Sequence, residues 1–192
     1  ALHLFQVMET SPNLVTYNAV IAAAAHGKQW QLAVHYIDLL QDDSLRPDVI
    51  SYNAVLSACE KSRMWEEALE IFQELLDVSL KPDLCSYNAL ISAADKCQKC
   101  HVALVAFEDM KASQLQADLI TYNALISACR SSQPLLASEF FTSMIQEELQ
   151  PDVISYIALG ATKLPKEMLC TCDVRSFTAQ LGRIQVQDVL PF

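Results

Sequence analysis

Residues 49–56, Val-Ile-Ser-Tyr-Asn-Ala-Val-Leu, decide the fold, because the same eight positions return down the chain. They read LVTYNAVI at 14–21, LCSYNALI at 84–91 and LITYNALI at 119–126, and a weaker copy, VISYIALG, starts at 153. The tyrosines are Tyr17, Tyr52, Tyr87, Tyr122 and Tyr156, spaced 35, 35, 35 and 34 residues apart. Ala33, Ala68, Ala103 and Ala137 keep the same beat. Pro47-Asp48, Pro82-Asp83, Ala117-Asp118 and Pro151-Asp152 close each unit. Three landmarks holding phase define a repeat array.

Each unit carries two apolar stripes of helical period. Tyr52, Val55, Leu56 and Cys59 fall at i, i+3, i+4 and i+7, and Ala68, Ile71, Phe72 and Leu75 repeat that spacing. Polar stretches such as Lys61-Ser62-Arg63 and Gln98-Lys99 are expected to form the turn between the two helices. Pro with Asp is expected to end the second helix and open the next unit, since Pro has no N–H with which to continue a helix. One short helix pair cannot bury both faces, whereas stacked pairs can, so the expected fold is an all-α solenoid of helix-turn-helix repeats. Residues 1–13 read as the end of an upstream unit, followed by units at 14–48, 49–83, 84–118 and 119–152. The last of these is one residue short, with Pro134 at the start of its second helix, where Pro is tolerated. Residues 153–192 read as a partial unit and an irregular extension.

Composition narrows the function. The 192 residues are 52% hydrophobic and 19% charged, too apolar for a disordered chain. Only 3 are Gly, which argues against a Gly-rich phosphate loop, and no apolar run is long enough to span a membrane. The chain begins at Ala1 inside an amphipathic stretch and so reads as a piece of something longer. Its 7 cysteines, an odd and scattered set, suit reduced thiols rather than a disulfide framework. Cys59 and Cys129 sit on the buried stripes and are expected to be small core residues. Cys97-Gln98-Lys99-Cys100-His101 matches the C-x-x-C-H pattern of haem attachment. It falls across an inter-helix turn with no distal ligand in sight, and Cys170 and Cys172 lie nearly two units away. Neither a haem nor a zinc site is therefore expected, nor any other cofactor. No catalytic constellation stands out, so the chain is not read as an enzyme and no small-molecule substrate is expected.

A 35-residue helix pair whose first helix carries Val/Ile-Thr/Ser-Tyr-Asn-Ala-Leu/Val-Ile/Leu resembles the pentatricopeptide repeat, and Lys81-Pro82-Asp83 adds to the likeness. The related tetratricopeptide repeat has 34 residues and a Trp…Leu-Gly…Tyr pattern that is absent here. The resemblance implies a right-handed superhelix that binds single-stranded RNA, one base per repeat, the strand running 5′ to 3′ as the protein runs N to C. It implies that the residue after the Tyr and the last residue of the repeat face one base together. Those pairs are Asn18 with Asp48, Asn53 with Asp83, Asn88 with Asp118 and Asn123 with Asp152. In this family that combination favours uracil over cytosine. An Asn amide offers donors and an acceptor to a pyrimidine edge, and Asp accepts directly or through water.

By the same resemblance the residue two before the Tyr clamps the bases: Val15, Ile50, Cys85, Ile120 and Ile154. Lys61 and Lys96 stand where the family often places a phosphate contact, while His26 and Ser131 hold the equivalent places in the other units.

The formal charge of −10 is the wrong sign for a non-specific nucleic-acid binder. The first helices are nonetheless nearly balanced, with Lys61, Lys96 and Arg130 against Glu60 and Asp95. The clustered acids, such as Glu66, Glu67, Glu70 and Glu74, belong to second helices, which the resemblance places on the outside. The expected partner is U-rich single-stranded RNA, in RNA processing, stability or translation in a chloroplast or mitochondrion. The alternative is a protein-interaction scaffold holding a peptide in the concave groove, which the acidity would steer toward a basic partner.

Overall fold

The structure is a computed structural model that describes residues 12–160. Most of the upstream segment expected at 1–13, the extension beyond 160, and Cys170 and Cys172 lie outside the described residues. Among the described residues all regular structure is helical. The helices are α1 (Leu14–His26), α2 (Trp30–Asp42), α3 (Val49–Ser62), α4 (Trp65–Asp77), α5 (Leu84–Lys96), α6 (Cys100–Ala112), α7 (Leu119–Arg130), α8 (Pro134–Gln146) and α9 (Val153–Leu159).

Every odd-numbered helix starts on a side-chain cap. Asn13 accepts the backbone N–H of Thr16 at 2.9 Å. Asp48, Asp83, Asp118 and Asp152 do the same for Ser51, Ser86, Thr121 and Ser155 at 2.8–2.9 Å. In those four the Ser or Thr hydroxyl accepts the Asp N–H in return, closing a capping box. Each cap contributes about 1 kcal/mol to its helix.

The even-numbered helices stop by a different device from the one the Pro-Asp pairs suggest. They end at Asp42, Asp77, Ala112 and Gln146, each five residues before its Pro-Asp or Ala-Asp. Soon after each end a residue turns left-handed: Ser44 (φ 59°), Ser79 (59°), Gln114 (59°) and Glu148 (61°). The Leu that follows donates its N–H back into the last helical turn, as from Leu45 to Leu40, Leu80 to Leu75, Leu115 to Met110 and Leu149 to Met144. This is the Schellman arrangement, and each of those leucines packs on the core. The first helices use the same device at Lys28, Arg63 and Gln98. α3 runs through Lys61 and Ser62, so the turn expected there shrinks to Arg63 and Met64. The short fourth unit has no left-handed residue at this joint, and Pro134 occupies the first turn of α8.

Packing follows the repeat. α1, α3, α5, α7 and α9 stack directly on one another, while each second helix packs on the first helices on either side of it. The first helices thus form one continuous layer, the layer that carries Asn18, Asn53, Asn88 and Asn123. The tyrosines are structural: Tyr17, Tyr52, Tyr87 and Tyr122 are buried. Phe72 sits against Tyr87, Phe107 against Tyr122 and Phe141 against Tyr156, with ring centroids 5.0–5.8 Å apart. Ala24, Cys59, Ala94 and Cys129 occupy one fully buried position in successive units. The Cys59 thiol, pushed up to about 12 by burial, is a core atom rather than a nucleophile.

Candidate functional site

The N-terminal turns of the first helices carry exposed apolar side chains in register. Val15 is 74% exposed, Ile50 66%, Ile120 60% and Ile154 56%, and Cys85 in the matching place is also exposed. Each is the second residue of its helix. Its immediate neighbours turn inward with the buried Tyr, so the stripe is a consequence of helical period. A solvent-facing aliphatic thus recurs at this position in four of the five first helices.

Three residues further along the same helices lie the asparagines, and the structure brings each to its Asp. Asn18 Nδ2 donates to Asp48 Oδ1 at 3.2 Å and Asn53 Nδ2 to Asp83 Oδ1 at 3.0 Å. Asn88 Nδ2 donates to both oxygens of Asp118 at 3.1–3.2 Å, and Asn123 Nδ2 to Asp152 Oδ1 at 3.3 Å. The four pairs therefore form one repeated constellation. In each, the Asp that caps the next first helix also holds the amide of the preceding one.

The amide is engaged on its other side as well. Its oxygen is occupied in the first three units: Ser51 Oγ donates to Asn18 Oδ1 at 2.6 Å, Ser86 Oγ to Asn53 Oδ1 at 2.6 Å, and Thr121 Oγ1 to Asn88 Oδ1 at 2.5 Å. In these units the hydroxyl takes one of the oxygen's two lone pairs and fixes which way the amide points, and an amide N–H and, in the Asp48 and Asp83 pairs, the carboxylate's second oxygen keep capacity as well. These hydroxyls escaped the sequence reading, although the Ser or Thr before every Tyr was the signal. Burial raises the carboxyls of Asp48 and Asp83, but hydrogen bonds from the Ser backbone and hydroxyl and from the Asn amide outweigh it. Both carboxyls are held below the ordinary value and stay ionised.

The lysines divide. Lys96 Nζ forms an ion pair with Glu60 Oε1 at 2.7 Å, across the C-terminal turns of α5 and α3. Lys61 sits half-buried at the end of α3. Arg130 Nη1 donates to the Ile157 carbonyl at 3.0 Å, tying α7 to α9. Near it a cleft of about 360 Å³ brings Ile120, Ile154 and Asn123 together with Asp95 and Arg130. The Asp95 carboxyl there is raised by burial, against the pull of Ser127, Lys96 and Arg130.

Cys97 caps the end of α5 and Cys100 opens α6, so the C-x-x-C-H stretch is an ordinary inter-helix joint. Among the described residues no group of three or more His, Cys, Asp or Glu could hold a metal ion, and no helix is long and apolar enough to cross a membrane.

Stacked helical hairpins with a regular row of side chains along the first-helix layer define a helical-repeat solenoid. Family models then specify which one: a pentatricopeptide repeat domain matches residues 36–96, the PPR repeat family 82–131 and the PPR repeat 120–149. The chain belongs to the pentatricopeptide repeat family. Its fold is similar to that of the pentatricopeptide repeat protein PPR10 in complex with an 18-nt psaJ RNA element. That match has a TM-score of 0.73 and 22% identity, over 92% of this chain and 26% of the other. The maize PPR10 structure gives a TM-score of 0.68 and 23% identity, over 94% and 26%. The PPR domain of Arabidopsis thaliana protein-only RNase P 1 in complex with tRNA gives 0.67 and 15%, over 91% and 94%. The chain thus spans about a quarter of the PPR10 structures it matches. A comparison with curated proteins returned no match.

Proposed function

We propose that the inner face binds single-stranded RNA, with units 14–48, 49–83, 84–118 and 119–152 each addressing one base. The observation that carries this reading is the repeated constellation itself: an exposed aliphatic and an Asn–Asp pair at the same place in every unit, Cys85 replacing the aliphatic once. The RNA named in the PPR10 and RNase P structures supports it as family context. Val15, Ile50, Cys85, Ile120 and Ile154 grip base faces, which is tolerant of sequence, and the pairs supply selectivity. A free amide N–H donates to a pyrimidine carbonyl, and the carboxylate accepts through water from N3–H. Uracil has that proton and cytosine lacks it, so the pairs favour uracil. Lys61 contacts phosphate directly, and Lys96 does so in competition with Glu60. The work of such a chain is organellar RNA processing, stability or translation, as part of a larger assembly of repeats.

Fluorescence anisotropy with U-rich and A-rich oligonucleotides at low salt tests the reading. The wild-type chain should prefer U-rich RNA, and Asn53→Ala with Asn88→Ala should erase the preference. An unchanged preference refutes base reading by these pairs. The net charge of −10 favours one other outcome, capture of a basic peptide in the groove with no RNA binding at all.

A further inference from the structure

Ser51, Ser86, Thr121 and Ser155 are the buried polar residues of the described chain, each with no exposed surface, and all four stand at one position of the repeat. Capping alone does not account for what three of them do. Each hydroxyl accepts the N–H of its own Asp at 3.2–3.3 Å and has a single proton to give. Its shortest contact, 2.5–2.6 Å, is with the Asn oxygen of the preceding unit, while the Asp oxygen lies at 2.8–3.0 Å. That Asp oxygen already accepts a backbone N–H and, in these units, an amide N–H. The proton therefore goes to the amide oxygen. A flipped amide would set its oxygen against the carboxylate and lose the hydroxyl donor, so both neighbours enforce one orientation.

The fourth pair lacks this lock. Ser155 Oγ is 2.9 Å from Asp152 Oδ1 and 4.0 Å from Met144 Sδ, and Asn123 Oδ1 is buried with no hydrogen-bond partner. This is the unit one residue short, and its amide is held only by the 3.3 Å contact to Asp152. We infer that Ser51, Ser86 and Thr121 are specificity-determining positioning residues, each fixing the reading Asn of the unit before it so that a donor faces the base. Asn123 reads with an amide whose orientation Asp152 alone enforces. The inference rests on the RNA-binding reading above.

The test is a position-scanned set of U-tract oligonucleotides, each with one U replaced by C, bound to the full chain and to Ser86→Ala and Ser86→Thr. Ser86→Ala should flatten the U-over-C preference by about threefold to tenfold at the single base facing Asn53, leaving other positions unchanged. Ser86→Thr should restore it, since Thr121 already performs this role. In the wild type, the base facing Asn123 should already show the weakest discrimination, a measurement that needs no variant to fold. Retained discrimination at the Asn53 base in folded Ser86→Ala, or equal discrimination at all four wild-type positions, overturns the inference and leaves RNA binding standing. Absence of any base preference in the wild type defeats the proposed function first, and this inference with it.

Discussion

Lys96 Nζ lies 2.7 Å from Glu60 Oε1, so the cation proposed to contact phosphate is clasped by an acid of the preceding unit. The pair is partly exposed, and its own contribution to stability is small. Glu60→Gln should release Lys96 with little change in melting temperature. RNA affinity should rise, and the slope of log affinity against log salt should steepen by about 0.7, one more phosphate neutralised on a single strand. A flat salt response would show that Lys96 does not reach the strand.

The proposed clamps should separate affinity from selectivity. Ile50 is 66% exposed, so Ile50→Ala should leave thermal unfolding unchanged. Loss of one clamping side chain should weaken RNA binding by about 1 kcal/mol or more, equally for U and C at the neighbouring bases. Titrations of both oligonucleotides alongside a melting curve check this.

Among the described residues, seven left-handed joints are built on residues other than glycine: Lys28, Ser44, Arg63, Ser79, Gln98, Gln114 and Glu148. For a residue with a Cβ this backbone costs about 1 kcal/mol. Ser79→Gly and Gln114→Gly should each stabilise the stack by roughly 0.5–1 kcal/mol, raising the melting temperature by a few degrees. RNA binding should not change, because both sites lie at the ends of second helices.

Acid should loosen the first-helix starts. Asp48 and Asp83 have carboxyls held below the ordinary value, so the folded chain keeps them ionised after the unfolded chain has taken up protons. Their stabilisation is complete above about pH 4 and declines as pH falls through the lower folded values. Asp83→Asn keeps a capping oxygen, and melting curves should show its acid-induced loss to be smaller than the wild type's.

Alkali acts on the opposite side. The Tyr17 hydroxyl donates to Asp43 at 2.6 Å, and burial with that anion pushes its pKa up to about 12. The unfolded phenol ionises near pH 10, so stability falls as pH rises from about 10 to 12. Tyr17→Phe should lessen that decline in melting temperature.

The helix pairs and their exposed row were legible because apolar residues at i, i+3, i+4 and i+7 fix which face of the helix is buried with Tyr52 or Tyr122. That places Ile50 and Asn53 outside the buried stripe before any coordinates are known. The helix stops were not legible. Pro47 looked like the terminator, yet Ser44 and Leu45 end α2, and a serine in left-handed backbone leaves no mark of its own. The state of the amides was hidden for another reason. Ser86 and Asn53 meet across 33 residues of chain, a contact that periodicity within one helix does not reveal. The clasp on Lys96 was concealed in the same way.

If the pairs read bases as proposed, then, because one carboxylate both launches a helix and steadies the amide beside it, the letters a unit can be given are confined to side chains that can start a helix. Asp, Asn, Ser and Thr qualify, whereas an aliphatic or a long cation would erode the very scaffold whose vocabulary it was meant to enlarge. Recoding such a protein therefore draws on a short alphabet set by architecture before chemistry has any say.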